Sequence, residues 1–219
     1  MGNVLTDLVP LIIGAAAVPV WIMIVLLMLR SDNGVSVAAA FVGGVTLMRL
    51  VQGVLFGYVL GSSGEGDGRI SSLLLLLIGI LMWITAIKKW RKEDDPDGPP
   101  PKWMSSIGGM SPLRAFGVGA LLVAVAPKMW VFTLSAISLV QDAALGPAMG
   151  ALAYLLFTVG AVIILLILIL IAAFAPQKSA ALLGKVSGWL ERNERALLIV
   201  VSVVFGAFFT WKGLTGFIG

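Results

Sequence analysis

The chain has 219 residues, 59% hydrophobic and only 12% charged, with a formal net charge of +4 and a mean hydropathy of +1.06. Soluble domains run nearer half apolar and a quarter charged, so this composition excludes an ordinary soluble domain, and the length suits one compact helical bundle. There is no cysteine and no histidine, which removes disulfides, thiolate chemistry and the commonest metal ligand and general base.

The apolar residues fall in long blocks. A segment in lipid must satisfy its own backbone hydrogen bonds, so blocks of about 20 apolar residues read as membrane-spanning helices. Six spans are expected in chain order. Span 1 runs near Leu8 to Leu29. It reads as a permanent span, because Asp7 is the only charge before it and no small-residue cleavage site precedes a soluble domain. Span 2 covers Val35 to Leu60 and span 3 Ile70 to Ile87. Between them the Gly-rich 61–69 loop lacks the G-K-S/T ending of a phosphate-binding loop, so Glu65 and Asp67 read as a solvated turn and no metal site is expected. Residues 88–114 form a linker in which Lys88, Lys89, Arg91 and Lys92 precede Glu93, Asp94, Asp95 and Asp97 and then three prolines. Span 4 follows near Ala115 to Val140, span 5 near Pro147 to Phe174 and span 6 near Ala196 to Phe217. Within 178–192, Leu182, Val186, Trp189 and Leu190 share one side at helical spacing, with Lys178, Lys185 and Arg192 nearby. That pattern fits a short helix lying on the membrane, or an ordinary connecting helix with an aromatic anchor.

Basic residues set the orientation. The 1–2, 3–4 and 5–6 connections carry Arg30, Lys88, Lys89, Arg91, Lys92, Lys102, Arg114, Lys178, Lys185, Arg192 and Arg195, whereas the opposite side offers Arg69 and Lys212. The positive-inside bias puts both termini outside the cytoplasm and the 3–4 linker within it.

The halves resemble each other. Span 1 reads A-A-A-V-P-V-W-I-M and span 4 V-A-V-A-P-K-M-W-V, with Pro19 and Pro127 at matching points. Gly79 of span 3 pairs with Gly206 of span 6, and Trp83 with Trp211. Three spans per half is odd, so the second half must enter from the other side. The expected fold is all-α and polytopic, two inverted three-helix repeats at 1–87 and 115–219. In transporters such repeats place a binding site at mid-membrane, where interrupted helices meet. Each mid-span proline removes a backbone hydrogen bond, so Pro19 and Pro127 should break or kink their helices.

Two basic residues fall near span centres, Arg49 and Lys128, and no Asp or Glu lies centrally to neutralise them. A centred Arg or Lys costs about 2.5–3.5 kcal/mol even on insertion scales, and such residues mark substrate or ion paths. An anionic group would meet the unpaired charge, and the helix start after Pro127 would favour it too. Thr46 and Gln52 flank Arg49 at helical spacing, and Thr133, Ser135 and Ser138 follow Lys128. These line the same polar path or, on the plainer reading, bond their own preceding carbonyls. Ala39, Gly43 and Gly44 in span 2, with Gly146, Gly150 and Ala153 in span 5, read as sites of close helix packing.

Six spans in two halves, the two prolines and the A-P-K-M-W stretch at 126–130 resemble the lysine exporter (LysE) superfamily. The charged, proline-rich linker and S-P-L-R-A-F-G-V-G at 111–119 are similar to its GAP branch, which includes the sulfolipid-addressing protein (Sap) family. Ala126 stands where the amino-acid exporters commonly have Asn, which argues against simple amino-acid export. The resemblance implies a bacterial inner (plasma) membrane protein that carries glycolipids towards the cell surface, and it carries over to Pro127 and Lys128. The expected function is a transporter or flippase-like exporter of an anionic lipid or glycolipid. Export of a small polar solute, such as an amino acid or inorganic anion, and a non-transporting scaffold that docks through 88–101 remain open. With no His, Cys or intramembrane carboxylate pair, an enzyme is not expected. Nor is a cofactor or a nucleic-acid partner. Membrane lipids are the expected partners, with a second copy of the chain or a lipid-biosynthesis protein left open.

Overall fold

A computed structural model describes residues 2–61, 68–91, 107 and 109–218. The 62–67 loop with Glu65 and Asp67, and most of the 88–114 linker, lie outside the described residues. Among the described residues the fold is all-α. The helices are α1 (Gly2–Ala16), α2 (Pro19–Met28), α3 (Gly34–Gly61), α4 (Gly68–Arg91), α5 (Pro112–Val125), α6 (Pro127–Asp142), α7 (Pro147–Gly160), α8 (Ile163–Phe174) and α9 (Pro176–Ile218).

Among the described residues three unbroken helices are long and apolar enough to cross a membrane, at Gly34–Gly57, Ser72–Arg91 and Arg195–Gly216, and there are up to six such spans if each bent pair counts as one. Only 22% to 44% of each unbroken span is buried within the protein. Exposed Leu55, Ile80, Ile167 and Val204 belong to its apolar exterior, as a bundle solvated by lipid requires.

The expected breaks at the prolines are present and alike. α1 and α2 meet at 55°, α5 and α6 at 72°. Val18 and Ala126, the residues before the prolines, adopt nearly the same extended backbone (φ −92°, ψ 105°; φ −85°, ψ 107°), as a residue preceding proline must. The Val18 carbonyl accepts from the Trp21 and Ile22 amides, and the Ala126 carbonyl from those of Met129 and Trp130. Each proline is thus the first residue of a second half-helix, where its missing N–H costs nothing. In span 4 the indole Nε1 of Trp130 donates to the Ala124 carbonyl at 2.6 Å, supplying a partner that the break removed.

Span 5 is also broken, at 57° between α7 and α8, which the sequence reading did not foresee. No proline marks the site. Val162 leaves helical geometry (φ −114°, ψ 5°), and at neighbouring Gly160 a Cβ would press on the Ile12 side chain. The last helix differs as well. The 178–192 segment is not a separate helix, because α9 continues unbroken for 43 residues through it and span 6. Its Glu191-Arg192-Asn193-Glu194-Arg195 junction holds no proline or glycine to stop it. Within it Leu190 is buried, Val186 half-buried and Trp189 exposed, while the Leu182 and Lys178 side chains lie outside the described residues.

Main contacts pair up between the halves. α3 packs on α5 as α1 does on α7, α3 on α6 as α2 does on α8, and α4 on α6 as α2 does on α9; α4 and α9 pack on each other. Gly79 and Gly206 lie in that last contact, facing Thr210 and Met82–Trp83 respectively. The α3–α5 crossing is closer still. A Cβ on Gly44 would strike the Phe116 carbonyl oxygen, and one on Gly119 the Phe41 carbonyl oxygen. Gly43 has ordinary room and Gly146 serves a turn at φ 76°, so of the glycines expected to pack tightly it is Gly44 whose backbone approach forbids a side chain.

The core divides into two apolar clusters. One gathers Ile24, Leu26, Phe41, Val45, Val123, Met129 and Leu165. The other gathers Leu8, Leu11, Ile78, Met82, Phe132, Phe157 and Phe209. Asp7 and Lys212 form an ion pair, so the first and last spans begin and end at one side of the bundle. At another junction Arg195 donates to the carbonyls of Lys89 (3.2 Å) and Trp90 (2.9 Å), placing the 3–4 and 5–6 connections together.

Candidate functional site

α3 carries Arg49 into the interior, where 1% of its surface is exposed, the largest side chain so fully buried among the described residues. Nothing in the flanking L-M-R-L-V sequence interrupts the helix, so the charge is held by a regular backbone rather than a loop. Its Nη2 donates to the Met129 thioether at 3.5 Å, and its Cζ lies 5.7 Å from the Phe157 ring centroid. Met129 belongs to one apolar cluster and Phe157 to the other, so Arg49 sits at their seam. A desolvated cation–π contact is worth about 2 kcal/mol, and a thioether is a weak acceptor. Those contacts offset part of the burial cost, but Nε and Nη1 have no hydrogen-bond partner among the described residues. No carboxylate among the described residues bonds the guanidinium.

One turn along α3, Gln52 is fully buried, and neither its amide nitrogen nor its amide oxygen has a protein partner. On α6, Thr133 stands one turn beyond Met129, fully buried, with its hydroxyl also unpartnered. α3 and α6 run in the same direction, since Arg49 meets Met129 and Gln141 Nε2 donates to the Gly57 carbonyl at 2.7 Å. Buried polar groups are ordinarily bonded, so Arg49, Gln52 and Thr133 stand out as buried groups that the described residues leave unsatisfied.

The chain matches a family model over residues 8–215, nearly its whole length. It belongs to the Sap, sulfolipid-1-addressing protein, family. Membership connects the chain with lipid export, and it is the sulfolipid-addressing resemblance read from span 4 and the linker that is matched. No curated protein and no solved structure matches the chain.

Within this Sap-family fold the other site residues fall as follows. Thr46, half-buried, donates to the Val42 carbonyl at 2.8 Å, the plainer of its two readings. Ser135 is buried with its hydroxyl unpartnered, but at six residues from Met129 it leaves α6 on another face. Pro19 is buried at the first turn of α2. Pro127 opens α6 and Lys128 is the residue directly before Met129, but both side chains lie outside the described residues. The sequence reading missed Met129, Phe157 and Tyr154. The Tyr154 hydroxyl donates to the Arg49 carbonyl at 2.6 Å, and its ring fills the space beside Gly53, fixing the turn that carries Arg49. A signal existed for Tyr154 alone, a rare tyrosine inside an uncharged apolar span.

Proposed function

We propose that this protein moves an anionic lipid or glycolipid across the bilayer towards the cell surface, without catalysing a reaction. The observation that carries the reading is Arg49, a buried guanidinium at the seam of two apolar clusters with two nitrogens unpartnered by the protein. An anionic headgroup supplies both the charge and the acceptors this group lacks, while the exposed apolar flanks leave acyl chains in lipid. On this reading 1–87 and 115–219 are inverted repeats, the proline-broken spans 1 and 4 are the moving parts, and Lys128 is a second cation for the same headgroup. Both termini face outward and the Arg195-capped end of α4 faces the cytoplasm, following the distribution of basic residues. Among the described residues no carboxylate is buried, which favours a process driven by a partner or by the substrate gradient over one coupled to a proton or Na⁺.

The test uses proteoliposomes carrying fluorescent phosphatidylglycerol or phosphatidylcholine. Wild-type protein should translocate the anionic lipid, and Arg49→Gln should slow it at least about tenfold, the loss expected when a buried ionic contact is removed. Lys128→Gln should slow it by less. Equal rates in wild type and both variants would defeat the proposed site.

A further inference from the structure

We infer that Gln52 is a specificity-determining residue that bonds a hydroxyl of the headgroup, beside the anion held by Arg49. This inference rests on the reading of Arg49 as the anion-binding group, and it narrows the substrate to an anionic headgroup that carries O–H groups. It begins from one stripe of α3. Arg49, Gln52 and Phe56 recur at three- and four-residue steps and so share a helix face. Both flanks of that stripe touch the start of α6, Arg49 at the Met129 sulfur (3.5 Å) and Phe56 at the Trp130 ring (5.1 Å between centroids). Gln52, between them, faces the same approach, close to the break at Pro127. It is fully buried, and neither end of its carboxamide finds a partner among the described residues.

The two side chains ask for different things. A guanidinium only donates, so an oxyanion meets all that Arg49 needs. A carboxamide donates through its nitrogen and accepts through its oxygen. An oxyanion accepts from the Gln52 nitrogen but has nothing to give the Gln52 oxygen. A ligand that satisfies both residues must therefore hold a donor within about one helical turn of its negative charge. A hydroxyl provides it. An ammonium would donate as well, but it would meet the Arg49 cation one turn away, and no carboxylate among the described residues bonds that guanidinium to offset the repulsion. A trimethylammonium has no donor at all. The chemistry that matches is a charged ester of a polyol. A site that bonds a substrate hydroxyl rejects the analogue lacking it, because its own buried polar group is then left unpaired.

The test measures binding of dioctanoyl phosphatidylglycerol and dioctanoyl phosphatidylethanol to the detergent-purified full chain. The two lipids share charge and acyl chains and differ in the headgroup hydroxyls. Wild type should bind phosphatidylglycerol about fivefold more tightly, within the range of one hydrogen bond. Gln52→Met keeps the length and removes the carboxamide, so that preference should vanish, with phosphatidylethanol bound as in wild type or more tightly. The wild-type comparison needs no variant to fold. Equal affinities there, the result if the carboxamide holds only trapped water, would overturn the inference, as would a preference that survives in Gln52→Met. Arg49→Gln separates the two ideas. If it binds phosphatidylethanol as wild type does, the reading of Arg49 fails; if it loses that binding while wild type holds the two lipids equally, the role of Gln52 fails alone.

Discussion

Spans 2 and 5 hold corresponding places in the two halves, yet they depart from a plain apolar helix in opposite ways. Span 2 is one continuous helix, Gly34–Gly61, that keeps its backbone regular and buries a charged side chain at Arg49. Span 5 carries no charged residue from 147 to 174 and instead breaks its backbone by 57° near Val162. The spans before them are nearly identical in design, with matching angles at Val18 and Ala126 and matching carbonyl bonds after the prolines. Among the described residues, the difference places the buried charge in one half of the chain only. One half supplies the cation, and the other supplies Met129, Tyr154 and Phe157 around it. The result is one asymmetric locus rather than two equivalent ones.

The largest contrast in stability between the two spans is expected at their glycines. Gly44→Ala drives a methyl into the Phe116 carbonyl, which two rigid helices cannot avoid, and should cost about 3 kcal/mol or more, the upper end for overpacking. Gly150→Ala meets only the Val140 Cγ1 at 3.3 Å, a side chain that can turn aside, and should cost less than about 1 kcal/mol. Thermal unfolding in detergent, read with the yield of monodisperse protein, compares them. Gly43→Ala, with ordinary clearance from Phe116, should behave as wild type.

A smaller effect separates the two proline breaks. Trp130→Phe removes the indole bond to the Ala124 carbonyl and should destabilise by about 1–3 kcal/mol, because the carbonyl is left without that partner. Trp21 meets Phe41 edge-on, a contact a phenyl ring largely keeps, so Trp21→Phe should cost less. Equal melting temperatures for the two variants would remove the distinction drawn between spans 1 and 4. Smallest of all is Lys212→Ala, which breaks a half-exposed pair with Asp7 and should cost at most about 1 kcal/mol. That loss should shrink further as salt is raised, measured by melting at low and high ionic strength.

The sequence made the spans legible because apolar length is a demand of the bilayer itself, and it made both proline breaks legible because proline acts locally. Arg49 stood out for the same reason, as a charge far from any span end. The break in span 5 was hidden, since Gly160-Ala161-Val162 reads like any apolar helix, and only the fold shows Gly160 lying close against Ile12. The partners of Arg49 were hidden too. Met129 and Phe157 are apolar residues among many, and only the approach of α6 and α7 to α3 gives them a polar role. The length of α9 was missed because a basic amphipathic stretch before a span carries no sign of whether the helix stops.

If Arg49 is the anion site proposed above, it is kept for its charge and not for the fold. Replacing even a buried ion pair by apolar side chains of similar volume is often neutral or stabilising by about 1–4 kcal/mol, and a lone buried charge has less Coulombic gain to lose. Melting temperature and phosphatidylglycerol translocation, measured together for Arg49→Met, test the claim directly. A melting temperature equal to or above wild type is expected with translocation reduced at least about tenfold, whereas undiminished translocation, or a loss accompanied by a fall in melting temperature, would contradict the proposed role of Arg49.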